Sequence, residues 1–158
     1  MDAFELLKQQ HRQVEALFAQ AHQAKGRERI ATLAKLAELL TLHSALEERF
    51  LYPATRQQGL EGLADASEEA HADVKRRIAQ ILGAKQRDPA LERMLSELEN
   101  AVRRHVEEEE NGLFPKLREE TTLLQDGGET LLEAAHELER QDLLQLADNE
   151  GELAEAGG

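Results

Sequence analysis

His43 and Glu47 stand four residues apart, and His105 and Glu109 repeat the pair about 60 residues later. Residues i and i+4 share one face of an α-helix, so each pair offers an imidazole nitrogen and a carboxylate to the same side. The repeat extends beyond the pairs: HSALEERFLYP at residues 43–53 and HVEEEENGLFP at residues 105–115 both fit HxxxEExxL(Y/F)P. Upstream, His11 and His71 align with each other in the same repeat. If these six side chains face a core, a lone buried carboxylate costs on the order of several kcal/mol or takes up a proton. A cation removes that problem. Two carboxylates can bridge two metals while two histidines cap each one, and a bridging oxo or hydroxo group adds a fifth donor, leaving an octahedral ion one open position. Nitrogen and oxygen donors in that number suit iron or manganese better than a structural zinc site that closes at four ligands. The expected metal residues are therefore His11, His43, Glu47, His71, His105 and Glu109.

A single HxxxE carries little weight in a chain this rich in glutamate. His11 and Glu15 form such a pair too, and it has no echo at Lys75. The argument rests on the repeated context and on the aligned His11 and His71. The competing bland reading is an inert acidic bundle, a metal-free helical interaction module.

The elements that must position these residues are helices. Leu, Ala, Glu, Gln, Lys and Arg dominate the 158 residues, while aromatics are 3%, a composition of strong helix formers. With 41% hydrophobic residues the chain can bury one core unaided. Phe4, Leu7, His11, Val14, Phe18 and Ala21 predict a first helix over about 2–25, ended near Gly26. Leu33, Leu36, Leu40, His43, Glu47 and Leu51 predict a second, ended or kinked by Pro53. Ser67, followed by two glutamates, reads as the N-cap of a third helix carrying His71, Val74, Ile78 and Ile81. Asp88 before Pro89 opens a fourth with Leu91, Leu95, Leu98, Val102, His105 and Glu109. Pro115 repeats the role of Pro53. A fifth helix is expected over 129–147, and the last ten residues read as a frayed acidic tail.

His11 lies about 15 residues before the turn at Gly26 and His43 about 17 after it. At a rise of 1.5 Å per residue the two reach nearly the same height on antiparallel helices. His71 and His105 straddle the turn near Gln86 in the same way. The expected fold is thus all-α, an up-down four-helix bundle of two helical hairpins over residues 1–120, with a C-terminal helix and tail over 121–158.

A formal net charge of −13 opposes sequence-independent binding to nucleic acid or anionic membrane. No apolar run approaches the roughly 20 residues of a membrane span, and the N-terminus is charged from residue 2, unlike a signal peptide. A cytoplasmic location is the simplest expectation. The chain has no cysteine, so thiolate ligands, disulfides and thiol nucleophiles are excluded. No glycine-rich phosphate loop and no serine or lysine constellation for nucleophilic catalysis stand out.

Other residues are expected outside the ligand set. His22 aligns with Leu82 and reads as a surface or packing histidine. Glu48 and Glu110 point about 100° around the helix from the bridging positions, so they face solvent or hold a ligand from behind. Glu107 and Glu108 read as an exposed acidic face, Tyr52 and Phe114 as hydrophobic packing. His136 is open: Glu68xxHis71 and Glu133xxHis136 both match ExxH, the spacing of ferritin-like di-metal oxidases, with Glu47 and Glu109 as the remaining carboxylates. That arrangement would leave His11, His43 and His105 buried without purpose.

The order His11, His43 with Glu47, His71, His105 with Glu109, together with the LYP and LFP endings, resembles the hemerythrin-like proteins, or HHE cation-binding domains. The likeness covers roughly residues 1–120. It implies an up-down four-helix bundle around a non-heme di-iron centre. Oxygen-carrying hemerythrins have a further histidine one turn after the third-helix ligand, where this chain has Lys75, so the resemblance does not imply reversible oxygen transport. Iron-sulfur cluster repair proteins of similar ligand set carry an N-terminal cysteine segment, and there is no cysteine here. The function implied is a di-iron protein that binds or reacts with oxygen, peroxide or nitric oxide, in sensing, iron handling or stress protection. Peroxide-decomposing or oxidase turnover at the same centre is the enzymatic version; no protein partner is indicated.

Overall fold

A computed structural model describes residues 2–85, 87–120, 137 and 140. The first helix, α1 (Ala3–Gln23), starts where Asp2 and Glu5 cap each other: Glu5 N–H donates to Asp2 Oδ1 at 2.8 Å and Asp2 N–H to Glu5 Oε2 at 3.1 Å. This reciprocal cap satisfies donors that a helix end otherwise leaves orphaned. Gly26, at φ 60°, takes the left-handed conformation that glycine adopts without penalty. It turns the chain into α2 (Gly26–Leu46), which packs along α1.

Pro53 does not end this helix. The chain widens into a π turn over Glu47–Leu51, where Tyr52 N–H donates to the Glu47 carbonyl five residues back, and continues as α3 (Tyr52–Gln57). Pro53 has no N–H to return to the carbonyl four residues earlier, and its ring crowds that carbonyl. The π turn absorbs both defects. The second repeat does the same: α5 (Leu91–Glu108) runs into a π turn at Glu109–Leu113, closed by Phe114 N–H on the Glu109 carbonyl, and into α6 (Phe114–Glu120). Single π turns inside α-helices recur at functional sites, and here each begins on an expected bridging glutamate.

Between the repeats, α4 (Glu61–Gly83) starts six residues before Ser67. Ser67 is buried inside the helix and caps nothing. The reason is tertiary: Ala64 is fully buried in a cluster with Phe4, Tyr52 and Phe114, and burial offsets the roughly 1 kcal/mol that Gly62 costs a helix. At the next start, Asp88 Oδ1 accepts from Ala90 N–H at 2.9 Å; α5 begins at Leu91, slightly later than the Asp-Pro signal suggests.

The hairpins α1–α2 and α4–α5 pack together as a four-helix bundle. Its core has two parts. One gathers Phe4, Leu7, Leu46, Leu51, Tyr52, Phe114 and Leu117; the other Val14, Phe18, Leu36, Leu40, Val74, Ile81, Leu95 and Leu98. On α1, Leu7 belongs to the first part and Val14 to the second, with His11 between them. Among the described residues no helix is long and apolar enough to cross a membrane. Of the expected fifth helix, the structure describes Glu137 and Arg140, both helical and ion-paired. Glu133, His136 and the tail lie outside the described residues.

Candidate metal centre

At the level between the two apolar parts, two groups of potential ligand atoms converge. His11, His43, Glu47 and Glu109 offer atoms all within 4.8 Å of one another, and so do Glu47, His71, His105 and Glu109. Glu47 and Glu109 belong to both groups. All six side chains are buried, the two glutamates completely. Thus the structure brings together each of the six residues singled out in the sequence. One hairpin supplies the histidines of each group, and the glutamates stand at the starts of the two π turns.

Within the groups, like faces like. His11 Nε2 lies 3.1 Å from His43 Nε2, and His71 Nε2 lies 2.9 Å from His105 Nε2. His71 Nε2 is 3.0 Å from Glu47 Oε2, His105 Nε2 is 2.8 Å from Glu109 Oε1, and His43 Nε2 touches Glu47 Oε1. Several of these approaches are close without being aligned as hydrogen bonds. Among the described residues, Glu47 Oε1 and both Glu109 oxygens are buried with no hydrogen-bond partner. Unpartnered buried carboxylate oxygens are costly. Buried carboxylate oxygens left unpartnered among converging imidazole nitrogens are what a cation would satisfy, so the donor set fits a metal.

Protons can do part of that work. Burial pushes the His11 imidazole down, but Glu109 and Glu47 outweigh it and raise it to about 9. His105 follows the same balance and reaches about 10. For Glu47, burial opposes ionisation, yet the charge of His43 and contacts with His105, His11 and His43 hold it well below the usual carboxylate range. The glutamates therefore keep protons on histidines that a metal would displace.

Behind the ring of donors the two hairpins differ. His43 Nδ1 meets Gln10 Oε1 at 2.8 Å, and His11 Nδ1 meets Glu110 Oε1 at 3.1 Å. Arg12 clamps Glu110, with Nη2 donating to Oε2 at 2.6 Å. On the other side, His71 Nδ1 is 3.6 Å from Glu48 Oε1, which Lys75 Nζ engages at 2.6 Å. His105 Nδ1 is buried and has no hydrogen-bond partner among the described residues. Glu110 thus stands behind His11 rather than in solvent alone, one of the two places foreseen for it.

Tyr52 corrects an expectation of plain packing. Its hydroxyl donates to Glu47 Oε2 at 2.8 Å and lies 2.9 Å from His71 Nε2. Burial first, then the charges of Glu47 and Glu109, push the phenol far above its ordinary range. Phe114, its counterpart, does pack, stacked parallel to His11 at 6.1 Å. Tyr52 is the chain's single tyrosine, and the change from LFP to LYP was the available signal. Gln10 was missed altogether; its signal was a polar residue beside His11 aligned with Ala70. His22 stands apart from the cluster beside Glu92 and Glu99. Glu68 is 47% exposed and bound to Arg56 at 2.9 Å, so the ferritin-like pairing of Glu68 with His71 is not formed.

The family model described as the hemerythrin HHE cation binding domain matches residues 2–117. This chain belongs to the hemerythrin HHE cation-binding family. A solved hemerythrin HHE cation binding domain-containing protein from Mycobacterium kansasii shares the hemerythrin-like fold at a TM-score of 0.83 and 23% identity, with 93% of each chain covered. A protein from a Nostoc species named DNA nickase is 27% identical over 119 residues, 75% of this chain. The chain spans about a third of that relative's length, 34%.

Proposed function

We propose that this chain is a non-heme di-iron protein in which His11 and His43 hold one ion, His71 and His105 the other, and Glu47 and Glu109 bridge them. The observation that carries the reading is the pair of overlapping buried ligand groups sharing both glutamates. When bound, iron with a bridging oxo or hydroxo group would supply a redox couple and an open position for oxygen, peroxide or nitric oxide. The nitrogen and oxygen donors favour iron over zinc, with manganese the lesser fit.

The protein's own part is to hold and to exclude. A cavity of about 20 Å³ lies against the four histidines, closed by Val14, Leu40, Val74 and Val102. That is room for about one water-sized molecule. A larger cleft of about 330 Å³ between α1 and α5 shares His11, Val14, Val102 and Val106 with it. The size and apolar walls favour a diatomic ligand or peroxide over any larger organic substrate. The nickase name of the Nostoc relative is not carried over, because a net charge of −13 opposes approach to a phosphate backbone.

Metal analysis with an optical spectrum tests this reading. About two irons per chain and oxo-to-iron charge-transfer absorption are expected. A colourless, iron-free protein after anaerobic reconstitution with ferrous iron and exposure to air would overturn it. Peroxide turnover by the loaded protein would mark an enzyme; ligand binding without turnover would mark a sensor or carrier.

A further inference from the structure

Resting on the two-cation reading, we propose that the two positions fill in order: the His11/His43 position first, the His71/His105 position second, with the singly loaded protein a distinct state. The difference lies one layer behind the donors. An imidazole that gives Nε2 to a cation carries its proton on Nδ1, and an acceptor there fixes both tautomer and ring angle.

Both histidines of the first position have that acceptor. Gln10 Oε1 sits 2.8 Å from His43 Nδ1 in a fully buried pair, and Glu110 Oε1 sits 3.1 Å from His11 Nδ1 with Arg12 holding it in place. Neither histidine of the second position has one at that distance. His71 Nδ1 has the Tyr52 hydroxyl at 3.4 Å and Glu48 Oε1 at 3.6 Å, the latter engaged by Lys75, while His105 Nδ1 is buried with no partner among the described residues. The residue in register with Gln10 is Ala70, which has no acceptor in its side chain.

A second observation points the same way. The Tyr52 hydroxyl donates to Glu47 Oε2 and lies 2.9 Å from His71 Nε2. It therefore occupies donor atoms of the second group that a cation would need. In the first group no hydroxyl does so, because Phe114 stands in place of Tyr52. Gln10 is a positioning residue here: it acts through His43 and offers nothing to the cation itself.

Calorimetric titration of the metal-free full chain with ferrous iron, without oxygen, reads the order directly. Two steps of one ion each are expected, separated by about 10-fold or more in affinity, the effect typical of outer partners of metal-bound histidines. His105→Ala should keep the tighter step and lose the weaker; His43→Ala should do the reverse. Gln10→Leu should weaken the tighter step by about 10-fold, Gln10→Glu should restore it, and Ala70→Gln should strengthen the weaker one. Should a Gln10 variant fail to fold by circular dichroism, the two histidine variants still decide the matter. No binding by the wild-type chain would overturn the two-cation reading itself. Two indistinguishable steps, or loss of the tighter step in His105→Ala, would overturn the order alone.

Discussion

The hairpins α1–α2 and α4–α5 present the same set to the bundle interior, two histidines and one glutamate each, yet surround them differently. In the first, Gln10 and Glu110 back both imidazoles and Phe114 stacks on His11. In the second, His105 Nδ1 has no partner among the described residues and the Tyr52 hydroxyl reaches Glu47 and His71. The histidines and glutamates that a cation would need are kept in both copies; the residues behind them are not. Two halves built alike by backbone can thus give unlike sites, because a single side chain behind a ligand sets its tautomer and angle.

The comparison can be broken most severely at the residues the halves share. Glu109→Ala removes a donor from both groups at once and should take iron from about two per chain to none by metal analysis. His43→Ala leaves one group whole and should lose only one ion. Equal losses in the two variants would show that the halves are not separable sites.

A milder change sharpens the difference. Tyr52→Phe gives the His71/His105 position the residue type that faces the His11/His43 position and frees Glu47 Oε2. One buried hydrogen bond is worth about 1 kcal/mol net, or about 5-fold, so the weaker ferrous-iron step should tighten by about that factor. A weaker step that loosened instead would mean the hydroxyl assists the cation.

Titration should blur the difference, since each half contributes one raised histidine. His11 at about 9 and His105 at about 10 both lie above the ordinary 6.5. Their protonated forms therefore stabilise the metal-free fold fully below about pH 6.5, and that contribution is lost as pH rises toward 9 to 10. Glu47, held low, works oppositely: its contribution is present above its ordinary 4.5 and is lost as pH falls through its depressed value. The melting temperature of the metal-free chain should drop between pH 7 and 10, and less so in His11→Ala or His105→Ala. An unchanged melting temperature over that range would contradict the charge balance described for the cluster.

Several features were legible in the chain alone. HxxxE on a helix is a local geometric fact, so His43 with Glu47 and His105 with Glu109 could be placed on common faces without knowing the fold. The spacing of His11 and His43 about Gly26 set their common height in the same local way. Helix boundaries were less legible at Ser67 and Pro53. A cap and a proline compete there with burial of Ala64, Tyr52 and Leu51, and that burial depends on neighbours far away in sequence.

By itself, then, the sequence determined the residue types of the cluster, their helical faces and the duplication, all consequences of short-range backbone periodicity. Only the tertiary structure decided that Glu47 and Glu109 each serve both groups, that Gln10 and Glu110 back one pair of histidines, and that Tyr52 intrudes on the other. Those contacts cross between helices, where a shift of one ångström or a rotation of one side chain separates a hydrogen bond from an orphaned nitrogen.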